Sequence, residues 1–256
     1  MTIVHAVILG IVEGITEFLP ISSTGHLILA GKILKLAESD FLKTFDISIQ
    51  LGAILAVVFL YRDTFFKNRE VLKKVFVAFI PTGVIGLALY KLIKTMLLGN
   101  TGVVLWSLGL GGVALIVFEL LHRENPTAEK NINAITYGQA LGIGSVQALS
   151  VIPGVSRAAA TIVGGLALGV ERKTIVEFSF LLALPTMLAA TGLDLVKNAS
   201  HFSSDQLGVL ATGALVSFAV AIFSIRFLMS FISRHSFIPF GIYRIALALF
   251  FCFAVK

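Results

Sequence analysis

Long apolar stretches separated by short polar connections dominate this chain. A helix needs about 17–25 residues to cross the hydrocarbon core of a bilayer. Six stretches are that long or nearly so: residues 45–61, 75–90, 101–121, 174–193, 207–227 and 237–255. The pattern predicts an all-α, polytopic integral membrane protein with six transmembrane spans.

Four shorter apolar segments, residues 3–18, 22–36, 135–149 and 156–168, have a helical pattern but are interrupted at Pro20 or Pro153. Paired short segments of this kind, in two halves of a membrane protein, indicate broken or re-entrant helices that line a site. Non-helical backbone at membrane depth must be buried in protein or face water. We therefore predict about ten helical segments: the six spans and two re-entrant helix pairs.

Composition agrees with a membrane protein. Apolar residues make up 57% of the chain and charged residues only 13%, against roughly 25% charged residues in an ordinary soluble domain. The formal charge of +6 does not indicate a nucleic-acid partner, because the basic residues lie in the connections between spans. One connection holds Arg62, Lys67, Arg69, Lys73 and Lys74. The positive-inside rule places this connection in the cytoplasm, which puts both termini on the outer side.

The two halves of the chain repeat the same spacing. Pro20 precedes Phe45 by 25 positions, and Pro153 precedes Phe178 by the same distance. The segments that follow, residues 44–56 and 177–189, align without a gap. We predict one membrane domain, residues 1–256, with internal repeats at about 1–121 and 134–256. Each repeat holds three spans, an odd number, so the repeats have inverted topology and their re-entrant tips meet near the midplane at one composite site.

Two carboxylates in the first short segment lie where ionisable groups are expensive. Glu13 and Glu17 are four positions apart and share one helix face within an apolar stretch. Ionisable residues in membrane segments indicate a functional site, and like charges at this spacing repel each other. A cation, a shared proton or a polar ligand beside them would relieve the repulsion. Because hard cations prefer oxygen ligands, we expect Glu13 and Glu17 to bind Mg²⁺ or Ca²⁺.

Both predicted tips have the chemistry of an anion site. In each, a proline ends the incoming helix and a serine or threonine can cap the outgoing one. Helix N-termini attract anions, and Arg157 adds a planar fork suited to phosphate. The candidate catalytic residues are Glu13, Glu17, Ser23, His26 and Arg157. The candidate substrate-binding residues are Ser22, Thr24, Gly154, Ser156, Arg157 and Thr161. The expected ligand is a phosphate or diphosphate.

Four sequence blocks resemble the undecaprenyl-diphosphate phosphatases, bacterial membrane enzymes linked to bacitracin resistance. They are Glu13-Gly-Ile-Thr-Glu-Phe-Leu-Pro-Ile-Ser-Ser-Thr-Gly-His26, Pro153-Gly-Val-Ser-Arg157 with Thr161, Glu177-Phe-Ser-Phe-Leu-Leu-Ala-Leu-Pro185, and Phe237-Ile-Pro-Phe-Gly-Ile-Tyr-Arg244. The resemblance implies hydrolysis of undecaprenyl diphosphate to undecaprenyl phosphate and inorganic phosphate. This reaction recycles the lipid carrier for peptidoglycan synthesis. It further implies a location in the bacterial plasma membrane, where we expect the site to open to the outer side.

The second block departs from the family's usual pattern. Where the family usually has Ser-Arg-Ser-Gly, this chain has Ser156-Arg157-Ala158-Ala159. The missing hydroxyl removes one possible hydrogen bond to phosphate, worth about 0.5–1.5 kcal/mol. We expect activity to be reduced rather than abolished.

The sequence leaves several alternatives open. The nucleophile is Ser23, His26 or a water activated by Glu17. Arg157 is either a phosphate ligand or a structural ion-pair partner of Glu13 or Glu17, and Arg244 is expected to pack against a buried acid. A transporter is the competing class, because inverted repeats with broken helices are typical of transporters. A polyprenyl-phosphate flippase would need the anion site but neither a nucleophile nor paired carboxylates. The expected partners are a polyprenyl diphosphate, membrane lipids and a second copy of the chain in a homodimer.

Overall fold

The computed structural model describes residues 1–37, 39–89, 100–123, 131–198 and 204–254, and over these it is built from helices with no β-strand. The α-helices are α1 (Ile3–Thr16), α2 (Ser23–Ile33), α3 (Asp40–Leu60), α4 (Arg62–Lys67), α5 (Arg69–Ala88), α6 (Thr101–Leu121), α7 (Tyr137–Gln147), α8 (Arg157–Ala167), α9 (Arg172–Asn198), α10 (Ser204–Ile232) and α11 (Ile238–Ala254). Two short 3₁₀ helices cover Ile132–Ala134 and Ala148–Val151. The predicted all-α class is confirmed.

Five helices in the described part of the chain, α3, α5, α6, α9 and α10, are long and apolar enough to cross a membrane. The sixth predicted span, residues 237–255, corresponds to α11, whose 17 residues form a shorter apolar helix. At 1.5 Å per residue they rise about 26 Å, and about 17 residues is the lower limit for crossing a hydrocarbon core. Since residues 255 and 256 lie outside the described part of the chain, the count of six spans stays a prediction.

The predicted helix breaks lie at the two prolines. The first turn, residues 17–22, contains Pro20 and separates α1 from α2, while Ala148–Val151 and the turn around Pro153 separate α7 from α8. The N-cap serines of α2 and α8 have an unusual backbone: Ser22 has φ 70° and Ser156 has φ 78°. Positive φ is uncommon for residues other than glycine and stores strain. The two tips thus share both the proline break and a strained serine cap.

The incoming helices α1 and α7 also correspond in detail. Each begins with a threonine capping box, at Thr2 and Thr136. The buried faces match in order: Ala6, Leu9, Gly10 and Glu13 in α1 correspond to Ala140, Ile143, Gly144 and Gln147 in α7. The repeat boundaries at 1–121 and 134–256, and the inverted orientation of the repeats, stay predictions.

Each incoming helix packs against a long helix of the other half. Helix α1 lies along α10, and α7 lies along α5. Both contacts depend on a missing side chain: a Cβ at Gly10 would lie 2.7 Å from the carbonyl oxygen of Gly213, and one at Gly144 would collide with the carbonyl oxygen of Ala78. Small residues allow such close backbone approach between membrane helices. Because each incoming helix packs against a helix of the other half, the two tips lie in the same part of the protein. We call this arrangement exchanged packing.

An aromatic contact holds the first tip against α9. Phe18 and Phe180 are both fully buried, and their rings meet edge to face with centroids 5.5 Å apart. This geometry is favourable for aromatic pairs. Because Phe18 follows Glu17 directly, the contact fixes the backbone that carries the Glu17 carboxylate beside α9.

Candidate active site

The two tips meet at a buried ion pair. One Arg157 nitrogen, Nη2, lies 3.3 Å from Glu17 Oε1, although the residues are 140 positions apart. Their side chains are only 10% and 7% exposed. Arg157 begins α8 and Glu17 directly follows α1. The structure therefore brings the two sequence blocks into one site.

One N–H group of the Arg157 guanidinium has no hydrogen-bond partner among the described residues. Its Nη1 donates to the carbonyl oxygen of Ser179 at 2.8 Å and lies 3.4 Å from the Ser179 hydroxyl. Its Nε is buried and has no hydrogen-bond partner among the described residues. A buried N–H group without a partner is costly. The guanidinium is thus held in a fixed orientation and keeps one donor for an anion.

Glu17 bridges the ion pair and the candidate nucleophile. Its second carboxylate oxygen, Oε2, accepts a short hydrogen bond from the Ser23 hydroxyl. Glu17 and Ser23 are each 8% exposed. A carboxylate that accepts the proton of a serine hydroxyl is the arrangement a base and a nucleophile require. Ser23 faces Glu17 rather than His26.

Glu13 is the least satisfied polar group of the site. It is fully buried, and neither carboxylate oxygen has a hydrogen-bond partner among the described residues. Glu17 and, more weakly, Asp46 on α3 are the nearby acids that repel a charge on Glu13. Asp46 Oδ1 is likewise buried without a hydrogen-bond partner among the described residues. Since an uncompensated buried charge costs several kcal/mol, Glu13 requires a proton or a cation.

Glu13 and Glu17 suit a divalent cation that takes its remaining ligands from water and substrate. Within the described residues, three or more His, Cys, Asp or Glu side chains do not come together in a way that could hold a metal. Glu13 and Glu17 would therefore supply two side-chain ligands. Mg²⁺ is commonly bound by one or two carboxylates together with water and substrate phosphate. The donor set fits that mode of binding.

The remaining residues of the first tip have different environments. Ser22 caps α2 by accepting a hydrogen bond from the Gly25 N–H at 3.4 Å. Thr24 is half-buried in the first turn of α2. His26 is 9% exposed, and its Nδ1 lies 2.8 Å from the Ser22 carbonyl oxygen. The tip thus combines a cap, a possible nucleophile and an imidazole within five residues.

The second tip is largely structural apart from Arg157. Ser156 caps α8 through the Ala159 N–H at 3.2 Å. Thr161 is fully buried, and its hydroxyl lies 2.8 Å from the Arg157 carbonyl oxygen and 3.2 Å from Gln147 Oε1. Its predicted contact with substrate stays a prediction. Ala158 is 1% exposed, so the hydroxyl absent at this position would belong to a packed interior.

Arg244, on α11, ties both tips together through the backbone. Its guanidinium donates to the carbonyl oxygens of Ser107, Leu108, Pro20, Gly154 and Val155, at 2.9–3.3 Å. Pro20 belongs to the first tip, and Gly154 and Val155 to the second. The expectation that Arg244 packs against a buried acid is wrong, because carbonyl oxygens occupy its donors. Gly154 has φ 95°, a conformation that suits glycine.

Tyr243 precedes Arg244 and reaches His26. Its hydroxyl lies 2.8 Å from His26 Nε2. The two rings are nearly parallel, with an interplanar angle of 4° and centroids 5.5 Å apart. Tyr243 is 44% exposed, so the pair lies at the margin of the buried site. Both imidazole nitrogens therefore have partners.

Comparison with known proteins identifies the family. The family model described as bacitracin resistance protein BacA matches residues 6–250. The chain belongs to the BacA family. Similar proteins include the undecaprenyl-diphosphatases of Wolinella succinogenes and Sulfurihydrogenibium sp., each 51% identical, and that of Aquifex aeolicus, 49% identical. These matches cover 99%, 97% and 97% of this chain and 98%, 98% and 97% of the relatives. The family resemblance read from the sequence is confirmed.

Tyr243 and Arg244 were the main omissions from the predicted site of this BacA family member. Both residues lie in the resemblance block at 237–244, but the sequence predicts a part in the site for neither of them. The available signal was a tyrosine and an arginine side by side in an apolar helix, where a charge is expensive. Tyr243 contacts a histidine 217 positions away. Arg244 contacts backbone carbonyl groups, which any residue type can supply, so the sequence does not identify its partners.

Proposed function

We infer that this chain hydrolyses undecaprenyl diphosphate to undecaprenyl phosphate and inorganic phosphate, as a phosphoric anhydride hydrolase of the bacterial membrane. Family membership and the names of its relatives support this assignment. The observation that carries it is the Ser23–Glu17–Arg157 chain of contacts. A hydroxyl, a carboxylate and a guanidinium that lie together in a buried site support the roles of nucleophile, base and phosphate ligand. The product returns as lipid carrier to peptidoglycan synthesis, which links the enzyme to bacitracin resistance.

In the proposed mechanism Ser23 is the nucleophile. Glu17 accepts the hydroxyl proton as Ser23 Oγ attacks the terminal phosphorus, and the bond from that phosphorus to the bridging oxygen breaks. Undecaprenyl phosphate leaves, and water then hydrolyses the phosphoserine to release inorganic phosphate. Arg157 stabilises the charge on the transferring group, since phosphoryl transfer depends mainly on positioning and electrostatics. His26 is a weaker candidate for the nucleophile, because Ser22 and Tyr243 occupy both of its nitrogens.

Glu13 and Glu17 would hold the divalent cation, Mg²⁺ or Ca²⁺. When bound, such an ion neutralises charge on the phosphate oxygens. The unpartnered oxygens of Glu13 support this proposal. Removal of divalent cations with EDTA should abolish phosphate release, and adding back Mg²⁺ or Ca²⁺ should restore it. Full activity in EDTA would contradict the metal assignment.

We further propose that the site opens to the outer side of the plasma membrane. The lipid would enter sideways, with its diphosphate between the two tips and its prenyl chain between helices. The cluster of basic residues at 62–74 supports this orientation through the positive-inside rule. The predicted homodimer is tested separately, by light scattering of the purified protein.

Rapid acid quench of the reaction tests the mechanism. Undecaprenyl diphosphate labelled in its terminal phosphate should leave label on the wild-type protein and none on Ser23→Ala. Ser23→Ala should also lose phosphate release. Label retained by Ser23→Ala would assign the nucleophile elsewhere, and turnover with no trapped label would favour attack by water. A flippase needs neither Ser23 nor the carboxylates, so the Ser23–Glu17 contact makes that alternative the less favoured one.

A further inference from the structure

The hydrogen bonds of His26 define its protonation pattern. Nδ1 lies 2.8 Å from the carbonyl oxygen of Ser22, and a carbonyl oxygen can only accept. Nδ1 therefore carries a proton. In the neutral imidazole Nε2 must then be the unprotonated nitrogen, and it accepts the hydrogen bond from the Tyr243 hydroxyl 2.8 Å away. Ser22 and Tyr243 together select one tautomer.

The position of Tyr243 is set by its neighbour. Arg244 is fully buried and bound to five carbonyl groups. The first turns of α11 are therefore fixed relative to both tips. Tyr243 projects from this fixed backbone and lies parallel to the His26 ring. It can consequently control both the ring plane of His26 and the partner of its Nε2.

Ser23 does not compete for His26, because its hydroxyl donates to Glu17. The site thus has two separate hydrogen-bonded pairs, Ser23–Glu17 and His26–Tyr243. We propose that Tyr243 is a positioning residue, which holds His26 as the Nδ1–H tautomer, fixes its ring plane at the exposed margin of the site, and donates to its Nε2. This inference rests on the proposed phosphatase function. Tyr243 acts through His26 rather than on the phosphorus.

A purely structural role predicts a different outcome. Tyr243 joins α2 to α11, so removal of its hydroxyl could affect stability alone. Tyr137 supplies a matched control, since its hydroxyl lies 3.1 Å from Glu70 Oε2 and joins α7 to α5 away from the site. Tyr243→Phe and Tyr137→Phe each remove one hydroxyl and one hydrogen bond between helices. Only the first should affect His26.

The kinetic test compares these variants with His26→Gln, using release of phosphate from undecaprenyl diphosphate. His26 is one of the candidate catalytic residues, and a group that transfers a proton typically contributes about 10²–10⁴-fold to the rate. If only the orientation of His26 is lost, the rate should fall by roughly tenfold. For Tyr243→Phe we expect that fall in kcat, a nearly constant KM, and a thermal midpoint close to that of Tyr137→Phe. In a His26→Gln background, Tyr243→Phe should have no further effect. Effects that multiply in the double variant would overturn the proposal.

A spectroscopic test is independent of turnover. The chain has five histidines, and the ¹⁵N resonances of His26 can be assigned by their absence in His26→Gln. We expect a protonated Nδ1 and an accepting Nε2, with the Nε2 resonance moved in Tyr243→Phe and unmoved in Tyr137→Phe. An unmoved Nε2 resonance in Tyr243→Phe would overturn the inference. If the wild-type protein released no phosphate, the proposed function would fail, while the resonances would still report on the Tyr243–His26 contact.

Discussion

Glu13 and Gln147 occupy corresponding places on α1 and α7, but only one of them is satisfied. Gln147 Nε2 donates to the hydroxyls of Thr82 and Thr186 at 2.9 and 3.3 Å, and its Oε1 accepts from Thr161 at 3.2 Å. Glu13 has no hydrogen-bond partner among the described residues. Buried polar groups are nearly always hydrogen-bonded, so an exception calls for an explanation. In one half of the protein the side chain at this position is tied into a hydrogen-bond network, and in the other its oxygens are buried without a hydrogen-bond partner among the described residues.

The residues that follow the two capping serines differ in the same way. Ser22 and Ser156 have similar backbone angles and both cap their helices. The next residue is Ser23 in the first tip and Arg157 in the second. One fold position thus carries the candidate nucleophile in one half and the candidate phosphate ligand in the other. Similar backbones with different side chains create a site that neither half contains alone.

The largest effect should come from Glu17, which links the two halves. Glu17→Gln keeps the shape of the side chain but cannot take the Ser23 proton or pair with Arg157 as a charge. We expect phosphate release to fall by roughly 10³-fold or more, with folding retained. The matched control is Glu70→Gln on an exposed stretch of α5, which should stay near the wild-type rate. Near wild-type turnover of Glu17→Gln with added Mg²⁺ would remove its catalytic role.

Replacing the amide at 147 by a carboxylate, and the carboxylate at 13 by an amide, tests the comparison of these two positions directly. Gln147→Glu places a carboxylate in a network of hydroxyls with no cation, and we expect a loss of about 3 kcal/mol in stability. Glu13→Gln replaces a buried acid whose oxygens have no hydrogen-bond partner among the described residues. We therefore expect its thermal midpoint to be equal to or above that of the wild type, while activity is lost. Thermal unfolding in detergent measures both. A stable Gln147→Glu variant would show that the two positions are not energetically different.

Arg157→Lys examines whether the second tip contributes geometry or only charge. Lysine keeps the charge but loses the planar fork that reaches Ser179 and Glu17. Hydrogen bonds to charged groups are worth about 1.5–3 kcal/mol, so kcat/KM should fall roughly ten- to a hundredfold. Arg172→Lys, on a helix outside the tips, provides the comparison. An Arg157→Lys enzyme with unchanged kcat/KM would mean that charge alone suffices.

Ala158→Ser should have the smallest effect. It restores the hydroxyl usual in the family, but at a position with 1% exposure. A single hydrogen bond is worth about 0.5–1.5 kcal/mol, which limits the gain in kcat/KM to roughly tenfold. Steady-state kinetics of the variant beside Ala160→Ser will measure it. A larger gain would show that this hydroxyl contacts the phosphate directly.

The parts of the molecule that could be predicted are those marked locally. Pro20 and Pro153 end helices whatever lies around them, so both tips were located from the sequence, and Glu17 and Arg157 stand out as charges in apolar surroundings. The role of Arg244 could not be predicted, because its acceptors are backbone carbonyl groups from three separate segments.

The exchanged packing of α1 on α10 and α7 on α5 makes assembly of the site a property of the whole chain. A polypeptide ending after α6 would lack the surface on which α1 rests, and one beginning at α7 would lack the surface for α7. Each would leave the packing face of its incoming helix, which carries Gly10 or Gly144, without its partner helix. The two pieces, made as separate polypeptides in one membrane, could still complement each other, because the covalent link between them adds none of these contacts.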